Sequence, residues 1–135
     1  MMITMHSDGG SRGNPGPAAI GVVLTDPSGN LLGTISEYIG ETTNNQAEYR
    51  ALVSGLEKAK EFGASEVSCY LDSELVVKQM NHEYKIKDAG LSALFVKAWN
   101  LTRGMRVTYH HVPREKNKAA DRLVNQALDA QARLG

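Results

Sequence analysis

The hydrophobic pattern of this chain changes period once, near residue 43. Before that point apolar and β-branched residues come in short strand-like runs. Beyond it, stripes at helical spacing take turns with brief apolar runs. A meander followed by strand–helix–strand units cannot form a purely antiparallel sheet. Each helical crossover returns the chain parallel to its predecessor and right-handed. The chain therefore predicts an α/β fold: a mixed five-stranded sheet, three antiparallel strands and then two parallel ones, flanked by helices on both faces.

The individual elements follow from local signals. Met2 to Ser7 predicts a strand that ends at Asp8. Gly9 to Pro17 holds four glycines and two prolines in nine residues and predicts a structured loop. Ala19 to Thr25 and Leu31 to Ile39 predict two strands joined by a turn at Asp26-Pro27-Ser28-Gly29-Asn30. From Asn44 to Phe62, apolar or small residues at 47, 51, 52, 55, 56 and 59 mark a helix that Gly63 ends. Val67 to Leu71 predicts a fourth strand, closing on Asp72. Helices follow over Glu74 to Tyr84 and around Leu91 to Leu101. Met105 to Val112 predicts the fifth strand, and a last helix runs from about Asn117.

The 135 residues predict one domain, 1–135, able to bury a core without disulfides. The single cysteine, Cys69, excludes an intramolecular disulfide and a cysteine-based zinc finger. The longest apolar run, Ala18 to Leu24, is far short of a membrane span, and the start of the chain does not resemble a signal peptide. The expectation is a cytoplasmic monomer with no membrane partner. Lys plus Arg equals Asp plus Glu at 15 each, which argues against a strongly basic polyanion binder. The balance is uneven along the chain. Residues 1–57 carry two basic and six acidic residues, whereas 58–135 carry 13 and nine. Such polarity reads either as a solvated surface or as a basic track beside an acidic site.

Four carboxylates stand where carboxylates are costly. Asp8 and Asp72 end strands, and ligand sites in α/β sheets form beyond the carboxyl ends of parallel strands. If the first and fourth strands are parallel neighbours, these two lie side by side. Glu48 has Ala51, Leu52 and Gly55 at i+3, i+4 and i+7, so it lies on the helix face that packs on the sheet. Asp121, with Val124, Asn125 and Leu128 at the same offsets, repeats that pattern. Taken singly, each has a plainer reading: a turn-initiating Asp, an edge Glu reaching water, or an Asp complementing a helix N-terminus. Together they can converge, and such a cluster cannot stay ionised without cations. An all-oxygen ligand set suits Mg²⁺ or Mn²⁺ rather than Zn²⁺. Two such ions about 4 Å apart would activate a water and stabilise the leaving oxygen of a phosphodiester. No P-loop or Rossmann spacing competes, and His110 and His111 adjoin on a strand, so they face opposite sides.

Four segments, in order across essentially the whole chain, resemble type 1 ribonuclease H. They are Asp8-Gly9-Gly10-Ser11-Arg12-Gly13-Asn14-Pro15-Gly16-Pro17-Ala18, Thr43-Asn44-Asn45-Gln46-Ala47-Glu48, Leu71-Asp72-Ser73 and Asn117-Lys118-Ala119-Ala120-Asp121. The resemblance implies the ribonuclease H fold and hydrolysis of the RNA strand of RNA–DNA hybrids. It implies 5′-phosphate and 3′-hydroxyl products, and two Mg²⁺ ions, with Mn²⁺ also supporting activity. Asp8, Glu48, Asp72 and Asp121 would hold the ions, with Asp8 bridging them. Gly9, Gly10, Ser11, Asn14, Asn44 and Asn45 would line the minor groove of the hybrid, and Glu48 would also meet a 2′-hydroxyl, the group that distinguishes RNA. Thr43 matches a position that holds a DNA-strand phosphate, and Ser73 and Asn117 join the substrate-binding set.

In two departures the chain resembles a short archaeal and bacterial branch of the family. The segment Val112 to Asn117 carries no histidine, and Arg114 stands where a histidine loop would begin. Arginine can steady a phosphate but cannot shuttle a proton near neutrality. Only Lys85 to Gly90 links two helices where many members insert a basic protrusion, so hybrid binding should rest on few phosphate contacts. Double-stranded RNA as an added substrate, another superfamily nuclease activity and a non-catalytic nucleic-acid-binding domain are the rival readings. The last conflicts with retention of all four carboxylates.

Overall fold

The computed structural model describes residues 1–135. Its elements are β1 (Met2–Ser11), β2 (Gly16–Thr25), β3 (Leu31–Thr42), α1 (Asn44–Glu61), β4 (Glu66–Leu71), α2 (Glu74–Met80), α3 (Ala89–Leu101), β5 (Arg106–His111) and α4 (Lys118–Leu134). A short 3₁₀ turn, Arg114–Lys116, precedes α4. The five strands form one sheet in the order β3-β2-β1-β4-β5. β1 pairs antiparallel with β2 and parallel with β4, as the period change predicts.

Strand alternation divides the side chains between two faces. Ile3 and Met5 of β1, Ile20, Val22 and Leu24 of β2, and Val67, Cys69 and Leu71 of β4 join Tyr49, Leu52 and Leu56 of α1 in a core of 20 buried residues. On the other face α4 packs over the β1–β3 half through a much smaller cluster, Ala19, Val124 and Leu128. No helix is long and apolar enough to cross a membrane.

Several predicted boundaries are corrected; β2 begins at Gly16 rather than Ala19, and β3 ends at Thr42 rather than Ile39. β1 does not end at Asp8. It runs on through Gly9, Gly10 and Ser11, which pair with Ile20, Ala19 and Ala18 of β2. The glycines there serve close approach rather than a loop. A Cβ on Gly9 would lie 2.2 Å from the backbone of Ala47 in α1. α2 stops at Met80, not Tyr84. His82 turns into the left-handed region at φ 62°, and the Asn81 side-chain amide donates to the Tyr109 carbonyl oxygen.

A second glycine acts in the same way on the opposite face. Gly21 of β2 pairs directly with Asp8, and a Cβ on it would lie 2.2 Å from the Ala120 carbonyl oxygen of α4. Gly9 and Gly21 thus let both carboxylate-bearing helices press onto the sheet beside Asp8.

Candidate active site

The parallel pairing of β1 with β4 ends at Ser7 and Leu71, and the residues that follow these two are Asp8 and Asp72. Their side-by-side placement is therefore a consequence of register. Glu48, one turn into α1, reaches the same place over Gly9. One carboxylate oxygen each of Asp8, Glu48 and Asp72 can be found within 4.8 Å of one another. Asp121, in the first turn of α4, stands outside this tight triad but lines the same open cleft of about 440 Å³.

Asp8 and Glu48 are buried, at 8% and 4% exposure. Glu48 accepts a hydrogen bond from the Gly9 backbone N–H. No cation neutralises the pair. Burial, and then the neighbouring Glu48, Asp72 and Asp121 carboxylates, push the Asp8 carboxyl far above its ordinary range. Burial pushes Glu48 up as well, opposed by hydrogen bonds from Asp8, Gly9 and Ser73. Burial therefore disfavours full ionisation of this pair, a cost that a divalent cation would offset at the same oxygens. The donor set is all carboxylate, and its compactness and buried, unneutralised charge fit a hard cation such as Mg²⁺ or Mn²⁺.

The cleft also gathers Gly9, Gly10, Ser11, Asn44, Ser73 and Arg114. Asn44 opens α1 and is gripped twice: its backbone N–H donates to Asn14 Oδ1 at 3.0 Å, and its Oδ1 accepts from the Ser11 N–H at 3.3 Å. Thr43 caps α1 by accepting from the Gln46 N–H, and Ser73 caps α2 by accepting from the Val76 N–H. Arg114 Nη2 lies 3.6 Å from Asp121 Oδ1, so this guanidinium stands beside the carboxylates as its place in the sequence predicts.

Other expected site residues take different positions. Asn14, Thr43 and Asn45 lie outside the cleft lining, around its Asn44 rim. Asn117 is 1% exposed and gives its amide to the Ser7 carbonyl oxygen at 2.9 Å. This bond ties the start of α4 to the strand residue before Asp8. Sequence reasoning also missed Arg12, Asn125 and Leu128 as cleft residues. For Arg12 a signal existed: it and Arg50 are the only cations before Lys58.

Residues 6–127 match the family model described as Reverse transcriptase-like. "Bifunctional protein Rv2228c" of Mycobacterium tuberculosis is 46% identical over 134 residues, which cover 98% of this chain. The chain spans 37% of that relative's length. The crystal structure of RNase H1 from the archaeon Halobacterium salinarum superposes with a TM-score of 0.94 at 42% identity, covering 96% of this chain and 99% of that one. LC11-RNase H1, solved in complex with an RNA/DNA hybrid, superposes with a TM-score of 0.92 at 48% identity, with 96% and 99% covered. With the match running over nearly all residues and the carboxylate cluster in place, the chain belongs to the Reverse transcriptase-like family, in its ribonuclease H type 1 branch.

Proposed function

We propose that this chain hydrolyses the RNA strand of RNA–DNA hybrids, using divalent cations held by Asp8, Glu48, Asp72 and Asp121. The observation that carries the proposal is the convergence of three carboxylates within 4.8 Å at the end of the β1–β4 pair, two of them buried with no positive partner. A cluster so costly to ionise persists for the cation it binds. The likeness to LC11-RNase H1, solved with an RNA/DNA hybrid, supports that substrate class.

When bound, two Mg²⁺ ions, or Mn²⁺ in their place, would supply an activated water and stabilise the departing oxygen, leaving 5′-phosphate and 3′-hydroxyl ends. The protein's own groups do the rest. Asp8, whose carboxylate lies within 4.8 Å of those of Glu48 and Asp72, would be the ligand shared between the ions. Glu48 has one oxygen committed to the Gly9 N–H, and its other would be free to serve a metal ion and a 2′-hydroxyl. Asn44, pinned by Asn14 and Ser11, presents its amide to the minor-groove edge. Arg114 steadies the reacting phosphate by charge and carries no proton.

Matched RNA–DNA, RNA–RNA and DNA–DNA duplexes, each with Mg²⁺ and with Mn²⁺, test the proposal on one gel. The expected result is metal-dependent cleavage of the hybrid's RNA strand, and poor cutting beside a single 2′-deoxy substitution. Equal cleavage of all-DNA duplexes would remove the ribonuclease assignment. Cleavage of RNA–RNA would add double-stranded RNA as a second substrate.

A further inference from the structure

We infer that Arg12 is a substrate-strand contact at the far end of the cleft, held in waiting by Asp129. The inference rests on the proposed nucleic-acid substrate and assigns part of how it is gripped. Arg12 follows Asp8 by four residues, at the end of β1, and its side chain lines the same cleft. Its Nη2 donates to Asp129 Oδ1 at 2.6 Å and to Asn125 Oδ1 at 3.3 Å, both on α4.

Two independent paths place this contact. Four residues of strand from Asp8 to Arg12 span about 13 Å. Eight residues of helix from Asp121 to Asp129 span about 12 Å. Arg12 therefore stands roughly three to four nucleotides from the carboxylates, at ~3.4 Å of rise per nucleotide. Arg114 stands at the reacting end of the cleft and Arg12 at the other. Between them the wall is acidic or neutral, so a polyanion lying there meets a cation only at its two ends.

The Arg12–Asp129 pair is built to exchange. Its side chains are 45% and 57% exposed, so water screens the attraction and its contribution to stability is small. A phosphodiester offers the guanidinium the same planar, bidentate match with a full charge. Asp129 then has two opposed effects. It orders Arg12 toward the cleft in the free protein, and it competes with the phosphate when a strand arrives. A plain structural staple between the β1–β2 turn and α4 would have no such opposition.

Steady-state kinetics on hybrid at several KCl concentrations separates the two roles. Arg12→Ala should raise KM about 3- to 10-fold at low salt, with kcat nearly unchanged. It should also reduce the slope of log KM against log salt by about one. Arg12→Lys should recover the slope but only part of the KM, because the ammonium loses the bidentate fork. Asp129→Asn should leave KM equal or lower, the opposite sign to Arg12→Ala, although both remove the same link. Unchanged KM and slope in Arg12→Ala, or a KM rise in Asp129→Asn matching that of Arg12→Ala, would overturn the inference and leave a staple. Failure of the wild-type chain to cut hybrid at all would instead sink the underlying functional reading.

Discussion

The site has two unlike halves. Asp8 and Glu48 lie deep, on β1 and on a helix pressed against it by Gly9, with only carboxylates, a hydroxyl and a backbone N–H around them. Across the cleft, Asp121 faces the Arg114 guanidinium at 3.6 Å, and the Arg114 side chain is 77% exposed. Charge in the deep half is uncompensated and poorly solvated, so it demands a cation. Charge in the shallow half has its own partner and water. Substitutions in the first should therefore switch chemistry off and relieve the fold, whereas those of Arg114 in the second should only tune a rate.

The largest effect is expected at Asp8. Asp8→Asn keeps the shape but removes the proposed central ligand, and kcat on hybrid should fall by about 10³-fold or more, at least ~4 kcal/mol of barrier. The metal-free variant should melt above wild type, because one of the crowded like charges is gone. Near-normal turnover in Mg²⁺ would make the two halves equivalent. Glu48→Gln comes next. Its amide oxygen can still accept from Gly9, so hybrid affinity measured in EDTA should survive while kcat falls roughly 10²- to 10³-fold. Joint loss of binding and folding would make Glu48 a structural carboxylate.

The shallow half should respond less. Arg114→Ala should lower kcat by about 10- to 100-fold, ~1.4–2.8 kcal/mol, with a smaller change in KM. Arg114→Lys should recover part of it, and the pH–rate profile should lack an inflection near ~6.5 from a histidine at this position. An unchanged kcat would leave the carboxylates to act alone.

A smaller effect is expected in stability against pH without metal. Unfolded carboxyls titrate near ~4, and burial raises both Asp8 and Glu48 above that. The folded state thus holds more protons across that interval, so stability is greatest near the unfolded value and is lost as pH rises through the folded ones. Melting in EDTA should drop on the order of 5 °C between mildly acid and alkaline pH, and Asp8→Asn should flatten the slope.

Much of this was legible in the chain. Element order and sheet type follow from the change of period, and the placement of Asp8 beside Asp72 follows once β1 and β4 are parallel. Glu48 and Asp121 announced themselves by sitting on apolar helix faces. Glycine and side-chain partnership were harder. Gly9 reads as loop because composition cannot separate a glycine that turns the chain from one that admits a helix. Gly21 is hidden inside a β-branched run, and its need lies in α4, 99 residues away in the chain at Ala120. Asn117 sits in the motif that leads to Asp121, and its amide goes to Ser7, a long-range bond no local pattern encodes.

The cation demand of the deep half is tested most directly by thermal melting at alkaline pH, with EDTA or with Mg²⁺, for wild type and for Asp8→Asn. At about ten times its dissociation constant, a ligand bound only by the folded state adds ~1.4 kcal/mol. The expected result is a clear rise in wild-type Tm with Mg²⁺, larger at alkaline than at acid pH, that is nearly abolished in Asp8→Asn. A wild-type Tm indifferent to Mg²⁺ and Mn²⁺, or an equal rise in Asp8→Asn, would contradict a cation site built on these buried carboxylates.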